Sequence, residues 1–329
     1  MRKRLVLFTV LSILISLVSP ANAAISNGTW SLMDNPLADT SLSGTSPFVE
    51  LLPNGQDRVW SSDIGGPKIS DCDQQGKCVP VQVNSPFGAD VTIVNLNDGS
   101  RRAYFVEMKA TGEREIQTAE LGADGVSHGV VTSTGLTATA DQRAWGVPDA
   151  VVLPDGRVRL YYVTVDIQTS PCPEVIKSVT STDASGLKFV EDQGNRLSGG
   201  YVDAEILRAK TSDWVMITSR GPGCAPQRLF IFTSNDGLTW TSQGSALTGT
   251  GANRLDPSGY ELSQSKFRIY YSYATIGNAL TGPYAIHRAT LSWSAPAVKP
   301  KITITCLKGQ TKKKVIGVNP KCPSGYKKI

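Results

Sequence analysis

The chain has 329 residues, 40% hydrophobic and 19% charged, with 33 basic and 28 acidic side chains, six cysteines and two histidines. Its net charge of +5 is unevenly spread: Lys299 to Lys328 holds nine lysines and no acid, and three basic residues open the chain, leaving 21 basic against 28 acidic residues between them. An acidic body argues against nucleic acid as its partner, and two histidines with no Cys-x-x-Cys pair exclude a structural zinc site.

The chain begins with three basic residues, an apolar stretch from Leu5 to Val18 and Ala21-Asn22-Ala23. That order is an export signal cut near Ala23, and the apolar stretch is short for a membrane span. The expected organisation is a signal over 1–23, a repeat domain over 24–294, a Pro/Ala/Lys linker over 295–301 and a basic module over 302–329. The product is expected to be secreted or associated with the cell envelope.

Beyond the signal no stretch has helical periodicity. Short runs of Val, Ile, Thr, Tyr and Phe alternate with Gly, Pro, Asn, Asp and Ser clusters, which is an all-β pattern. Five segments repeat it: "TSPFVELLPNGQDRVWSS", "GADVTIVNLNDGSRRAYFVEM", "VPDAVVLPDGRVRLYYVTV", "YVDAEILRAKTSDWVMITSR" and "RLDPSGYELSQSKFRIYYSYA". Each is a strand, a polar turn and a second strand rich in aromatics. Four open on aspartate (Asp90, Asp149, Asp203 and Asp256), and the first carries Phe48 at that place. Further strands follow, with "TSTDASG" and "TSNDGLT" turns in which Asp183 and Asp236 accept backbone amides, while Phe189 and Trp240 pack between sheets. Four strands in each of five units predict a five-bladed β-propeller, with "GTWSLMDN" (28–35) closing the last blade. The opening aspartates would then stand at one mouth of the central channel. His287, inside a strand, reads as a packed residue, and His128 sits in a polar turn.

An exported chain with six cysteines favours disulfides. Cys72 and Cys78 are close enough to close a hairpin loop, and Cys306 and Cys322 share the tail. Cys172 and Cys224 remain, in equivalent loops of adjacent blades. They can bridge if their Cα atoms come within about 7 Å; otherwise either is free.

The segments "VPDAVVLPDGRVRLYYV" and "RLDPSGYELSQSKFRIYYSYA" resemble the blade signatures of family 43 and family 32 glycoside hydrolases, and "TSNDGLTWT" is similar to the Asp-box turn of sialidases. The resemblance spans roughly 45–293. It implies a carboxylate base, a tuning aspartate and a glutamate acid from three consecutive blades, which by blade order makes Asp90 the base and Asp149 the tuner. At the acid's aligned position stands Asp203, with Glu205 two residues on and, in an extended strand, on the same face. Arg143, Trp145, Tyr201, Arg220, Arg254 and Asp256 would bind an oligo- or polysaccharide, and three arginines at one mouth would favour an anionic one. Two functions stay open: a glycoside hydrolase, and a non-catalytic propeller binding glycan or protein. No cofactor is expected, and the chain is expected to act as a monomer. The tail resembles a lysine-rich C-terminal module seen on exported actinobacterial proteins. It is either an envelope contact or simply a soluble end.

Overall fold

The computed structural model describes residues 28–329 except 64–65, 84–86, 139–145, 167–171, 278–280 and 297–298, and only the backbone of 35–39. The expected export signal, Arg143 and Trp145 lie outside the described residues.

The strands, in chain order, build five four-stranded antiparallel sheets and one small three-stranded sheet. After β1 (Thr29–Ser43), blade I holds β2 (Thr45–Leu51), β3 (Asp57–Asp63), β4 (Gly66–Cys72) and β5 (Cys78–Pro80). Blade II holds β6 (Ala89–Asn95), β7 (Arg101–Met108), β8 (Arg114–Glu120) and β9 (Thr132–Ala138). Blade III holds β10 (Gly146–Val152), β11 (Val158–Val165), β12 (Glu174–Ser181) and β13 (Phe189–Glu191). Blade IV holds β14 (Tyr201–Lys210), β15 (Asp213–Arg220), β16 (Phe230–Ser234) and β17 (Trp240–Ser242). Blade V holds β18 (Asn253–Ser263), β19 (Lys266–Ala274) and β20 (Ala285–Ser294), with β1 as its outer strand. The tail sheet is β21 (Ile302–Lys308), β22 (Thr311–Gly317) and β23 (Lys327–Lys328).

The innermost strands ring the axis: β2 packs on β6, β6 on β10, β10 on β14, β14 on β18 and β18 back on β2. This is the expected five-bladed propeller. Its ring closes by pairing the two ends of the domain, with Trp30 opposite Trp293, so most of the segment 28–35 stands where the pattern put it.

Local chemistry sets the hairpins. The first turns of blades I, II and III share one construction, in which the amides of Gly55, Gly99 and Gly156 donate to the carbonyls of Leu52, Leu96 and Leu153. Each of these glycines has φ between 83° and 87°, a conformation closed to most side chains. Later turns lock neighbouring blades. Asp236 accepts the amides of Leu238 and Thr239, each at 2.8 Å. The Tyr161 hydroxyl of blade III donates to the Gly237 carbonyl in that turn at 2.6 Å. Tyr104 of blade II does the same to Gly186 of blade III at 2.8 Å. Trp240 stands edge-on to Tyr161 and Trp214. Apolar clusters fill the spaces between blades, such as Val94, Tyr104, Leu160 and Val179 between blades II and III.

All six cysteines are bonded, as Cys72–Cys78, Cys172–Cys224 and Cys306–Cys322. The Cys172 and Cys224 Cα atoms are 5.9 Å apart.

Candidate active site at the propeller mouth

Every innermost strand begins with the same irregularity. The pairing slips between Thr45 and Phe48, Ala89 and Thr92, Gly146 and Asp149, Val202 and Glu205, and Leu255 and Ser258. Two residues of the inner strand face one of its partner, which is a β-bulge. The first bulged residue has positive φ in all five blades: Ser46 (47°), Asp90 (55°), Val147 (34°), Asp203 (55°) and Asp256 (48°). These five are the equivalent positions. The expectation that Asp149 and Phe48 share a station with Asp90, Asp203 and Asp256 is therefore corrected by two residues. Val147 and Ser46 hold that station, while Asp149 and Phe48 belong one step further in, level with Thr92, Glu205 and Ser258.

The bulge creates two layers along the axis. Asp90, Asp203 and Asp256 form the outer one with Ser46 and Val147. Together with Arg114, Gln227, Pro222 and Tyr284 they line an open cavity of about 350 Å³. The same outer residues also border a space of only about 30 Å³, a single water's room, which Pro47, Phe48, Thr92, Pro148, Glu205 and Pro257 close from the inner layer.

In the outer layer Asp203 and Asp256 hydrogen-bond through their carboxyls, an arrangement that requires a proton between them. Ser219 donates to Asp203 at 2.6 Å, and the Ser46 amide donates to Asp256 at 3.0 Å. Burial, then the neighbouring Asp256 charge, push Asp203 well above the usual carboxylate range. Asp256 is raised by burial, against the bonds it accepts. Asp90, partly exposed, is raised by burial to about 6, with bonds from Ser46 and Ser62 and the charge of Arg114 opposing the rise.

The inner layer ties blades together. Thr92 Oγ1 accepts the Ala150 amide of the next blade at 3.3 Å. Asp149 accepts the Ile206 amide at 2.8 Å, and Glu205 accepts the Gly259 amide at 2.9 Å. Ser258 Oγ accepts the Val49 amide at 3.1 Å, which brings the ring back to blade I. Four of the five positions make the same bond; Phe48 instead packs on Trp60 with ring centroids 5.5 Å apart. Asp149 and Glu205 also bond each other. Burial raises Asp149 to about 7 and, with the Asp149 charge second, raises Glu205 far above its ordinary value. Asp149 is only 5% exposed and borders neither space, whereas Glu205 lines the narrow throat.

Of the expected aromatic and arginine rim, the described residues Tyr201, Arg220 and Arg254 are not gathered at the cavity. Tyr201 stands edge-on to Phe230 and Phe232 with the Arg220 guanidinium 5.1 Å above its ring. Arg220 also donates to the Gly199 carbonyl. Arg254 lies over Tyr273 at 5.7 Å. None of the three lines the cavity, where Arg114 at the start of β8 is the cation among the described residues. Arg114, Gln227 and Tyr284 escaped the sequence reading because they lie outside the innermost strands, where no periodicity marks them. Pro222, two residues before Cys224, places the Cys172–Cys224 bridge beside this rim.

No protein-family model matches the sequence, and no curated protein does. Solved structures do match. An endo-1,4-β-xylanase from Bacteroides thetaiotaomicron superposes with a TM-score of 0.56 at 9% identity, over 77% of this chain and 94% of that one. An endo-arabinase from the same organism gives 0.55 at 11% identity, over 79% and 97%. The catalytic domain of a Coprinopsis cinerea GH62 α-L-arabinofuranosidase gives 0.54 at 12% identity, over 82% and 98%. At these identities the likeness is one of fold: this chain has the propeller that those glycoside hydrolases use.

Proposed function

We propose that this protein is an exported carbohydrate-active enzyme that hydrolyses glycosidic bonds at the outer carboxyl layer. The observation that carries the reading is that one open cavity is lined both by Asp203, hydrogen-bonded to the Asp256 carboxyl and pushed well above the usual range by burial, and by Asp90, raised only to about 6 beside Arg114. Glycoside hydrolysis needs that pair, because the leaving oxygen must gain a proton while a second carboxylate activates water or attacks the anomeric carbon. Asp203 is the proton donor, Asp90 the base or nucleophile, and Asp256 the partner that keeps Asp203 protonated. Arg114 is placed to lower the Asp90 carboxyl and to bind a substrate oxygen. Under this reading Asp149 and Glu205, expected as tuner and acid, act by holding blades III, IV and V in register. The fold likeness to a xylanase, an arabinase and an arabinofuranosidase supports a glycan as substrate.

A second reading, a non-catalytic glycan binder, draws on Ser46, which leaves blade I without a carboxylate at the mouth. A panel of neutral and acidic glycans incubated with wild type, Asp203→Asn and Asp90→Asn separates the two. Turnover by wild type that both variants lose supports hydrolysis. Binding without turnover, kept by both variants, selects the binder.

A further inference from the structure

The C-terminal sheet is a single layer, and its two faces differ. Unbroken pairing from Ile302↔Gly317 to Lys308↔Thr311 places Ile302, Ile304, Cys306 and Lys308 on one face with Val315 and Lys313. Ile304 and Cys306 are buried there, at 6% and 0% exposure. Cys322 bonds Cys306 from that side, and Pro320 lies 3.8 Å from where a Cβ on Gly317 would stand. The loop 318–326 therefore covers this face.

Among the described residues, the opposite face has no such cover. It carries Thr303, Thr305 and Leu307 from β21, Ile316, Lys314 and Lys312 from β22, and Lys327, which pairs with Leu307 from β23. Lys312, Lys314, Lys327 and Thr303 are exposed, and Ile316 is 67% exposed. Lys312 and Lys314 stand about 7 Å apart along one strand, and Lys327 lies two strands from Lys312, about 10 Å away. Like charges at this spacing repel one another, and no acid occurs anywhere from 299 to 329 to offset them.

We infer that this uncovered face is a docking surface for an acidic polysaccharide, a chain bearing carboxylates on successive sugar units. A repeating anion relieves the repulsion among the three ammonium groups, and the threonine hydroxyls and the Leu307 and Ile316 side chains suit the hydroxyl and C–H faces of sugar rings. The sheet strands present no aromatic on which a nucleic-acid base could stack. They also hold no arginine to grip one phosphate or carboxylate in a fork, so attraction is diffuse and suits a polymer better than a single small anion. The choice of a glycan among polyanions rests on the reading of the propeller mouth; the charge pattern does not.

The test measures binding of the mature full-length protein to polygalacturonate, neutral dextran, duplex DNA and vesicles containing phosphatidylglycerol. The Asp203→Asn form is used, so that the outcome is separate from turnover. Polygalacturonate should bind, dextran should not, and affinity should fall about tenfold or more between ~50 and ~300 mM salt. The triple change Lys312→Gln/Lys314→Gln/Lys327→Gln should weaken binding at least about tenfold. The charge-matched triple Lys308→Gln/Lys313→Gln/Lys328→Gln on the other face should weaken it several-fold less. Equal losses from the two triples, no binding of polygalacturonate, or tighter binding of DNA or vesicles would overturn the inference.

Discussion

The two carboxyl layers of the channel sit two residues apart on the same strands and are alike by several measures. All but the partly exposed Asp90 are buried, and in both layers burial lifts the carboxyls above their ordinary range. They differ in access to the wide cavity, not in bonding alone, since Asp256 of the outer layer also accepts an amide of the next blade, at Ser46. Asp149 and Glu205 accept backbone amides of the next blade, at Ile206 and Gly259. Asp90, Asp203 and Asp256 border open space. A raised carboxyl therefore does not mark chemistry by itself. In the inner layer it records the cost of a buried acid kept for a bond between blades. In the outer layer the same shift leaves a proton available to something that enters the cavity.

The largest effect that would sharpen this contrast is on turnover. Asp203→Asn should lower kcat/KM by about 10² to 10⁴, the usual share of a general acid. Its unfolding midpoint should hold or rise, since a buried acid is removed while Ser219 keeps an acceptor. A variant that keeps activity would move the proton donor into the inner layer, with Glu205 the first candidate.

Next in size is a stability effect beneath. Asp149→Ala strips the Ile206 amide and Thr92 hydroxyl of their partner. It should cost about 2–3 kcal/mol in urea unfolding, as expected for buried groups left unpaired. Asp149→Asn retains an acceptor and should cost less than half as much. If Asp149→Asn instead abolished turnover at unchanged stability, the division between the layers would fail.

The pH dependence tests both layers together. An aspartate in the unfolded chain loses its proton near pH 3.9, whereas Asp90 holds its proton to about 6 and Asp149 to about 7. Between those values the native state binds more protons than the unfolded one, so stability falls as pH rises from about 4 to 7, and the raised Asp203 and Glu205 add to the fall. Turn aspartates act the other way at lower pH. Asp124, held down to about 2 by the amides of Ser127 and Val126, loses its contribution as pH drops below 4. Thermal unfolding should thus peak near pH 4, and Asp149→Asn should flatten the slope above it. A melting temperature that climbs steadily from pH 5 to 8 would contradict the burial of these acids.

The smallest effect concerns Arg114, whose charge lowers the Asp90 carboxyl. In Arg114→Gln the acid limb of the kcat/KM profile should move upward by a fraction of a pH unit. A downward shift would remove Asp90 as the group read by that limb.

Much of the propeller was legible in the sequence because a repeat of strand, turn and aromatic strand is a local pattern. Apolar runs, Asn-Gly and Asp-Gly turns and the spacing of cysteines each act over a few residues. The ring closure by the segment 28–35 followed from a strand left over. The layer of Asp149 was not legible. A strand alternates faces every second residue, so two residues of slip keep the same face and change only the depth. Aligning the repeats on aspartate put Asp149 level with Asp90. Aligning them on the proline after the station, as in Ser46-Pro47, Val147-Pro148 and Asp256-Pro257, would have set it correctly. Arg220 and Arg254 turn onto Tyr201 and Tyr273, their partners across the same hairpin, whereas which amide Asp149 or Glu205 meets depends on the packing of one blade against the next. The carboxylates and the amides they meet are 50 or more residues apart, a distance at which only the tertiary structure decides what touches what.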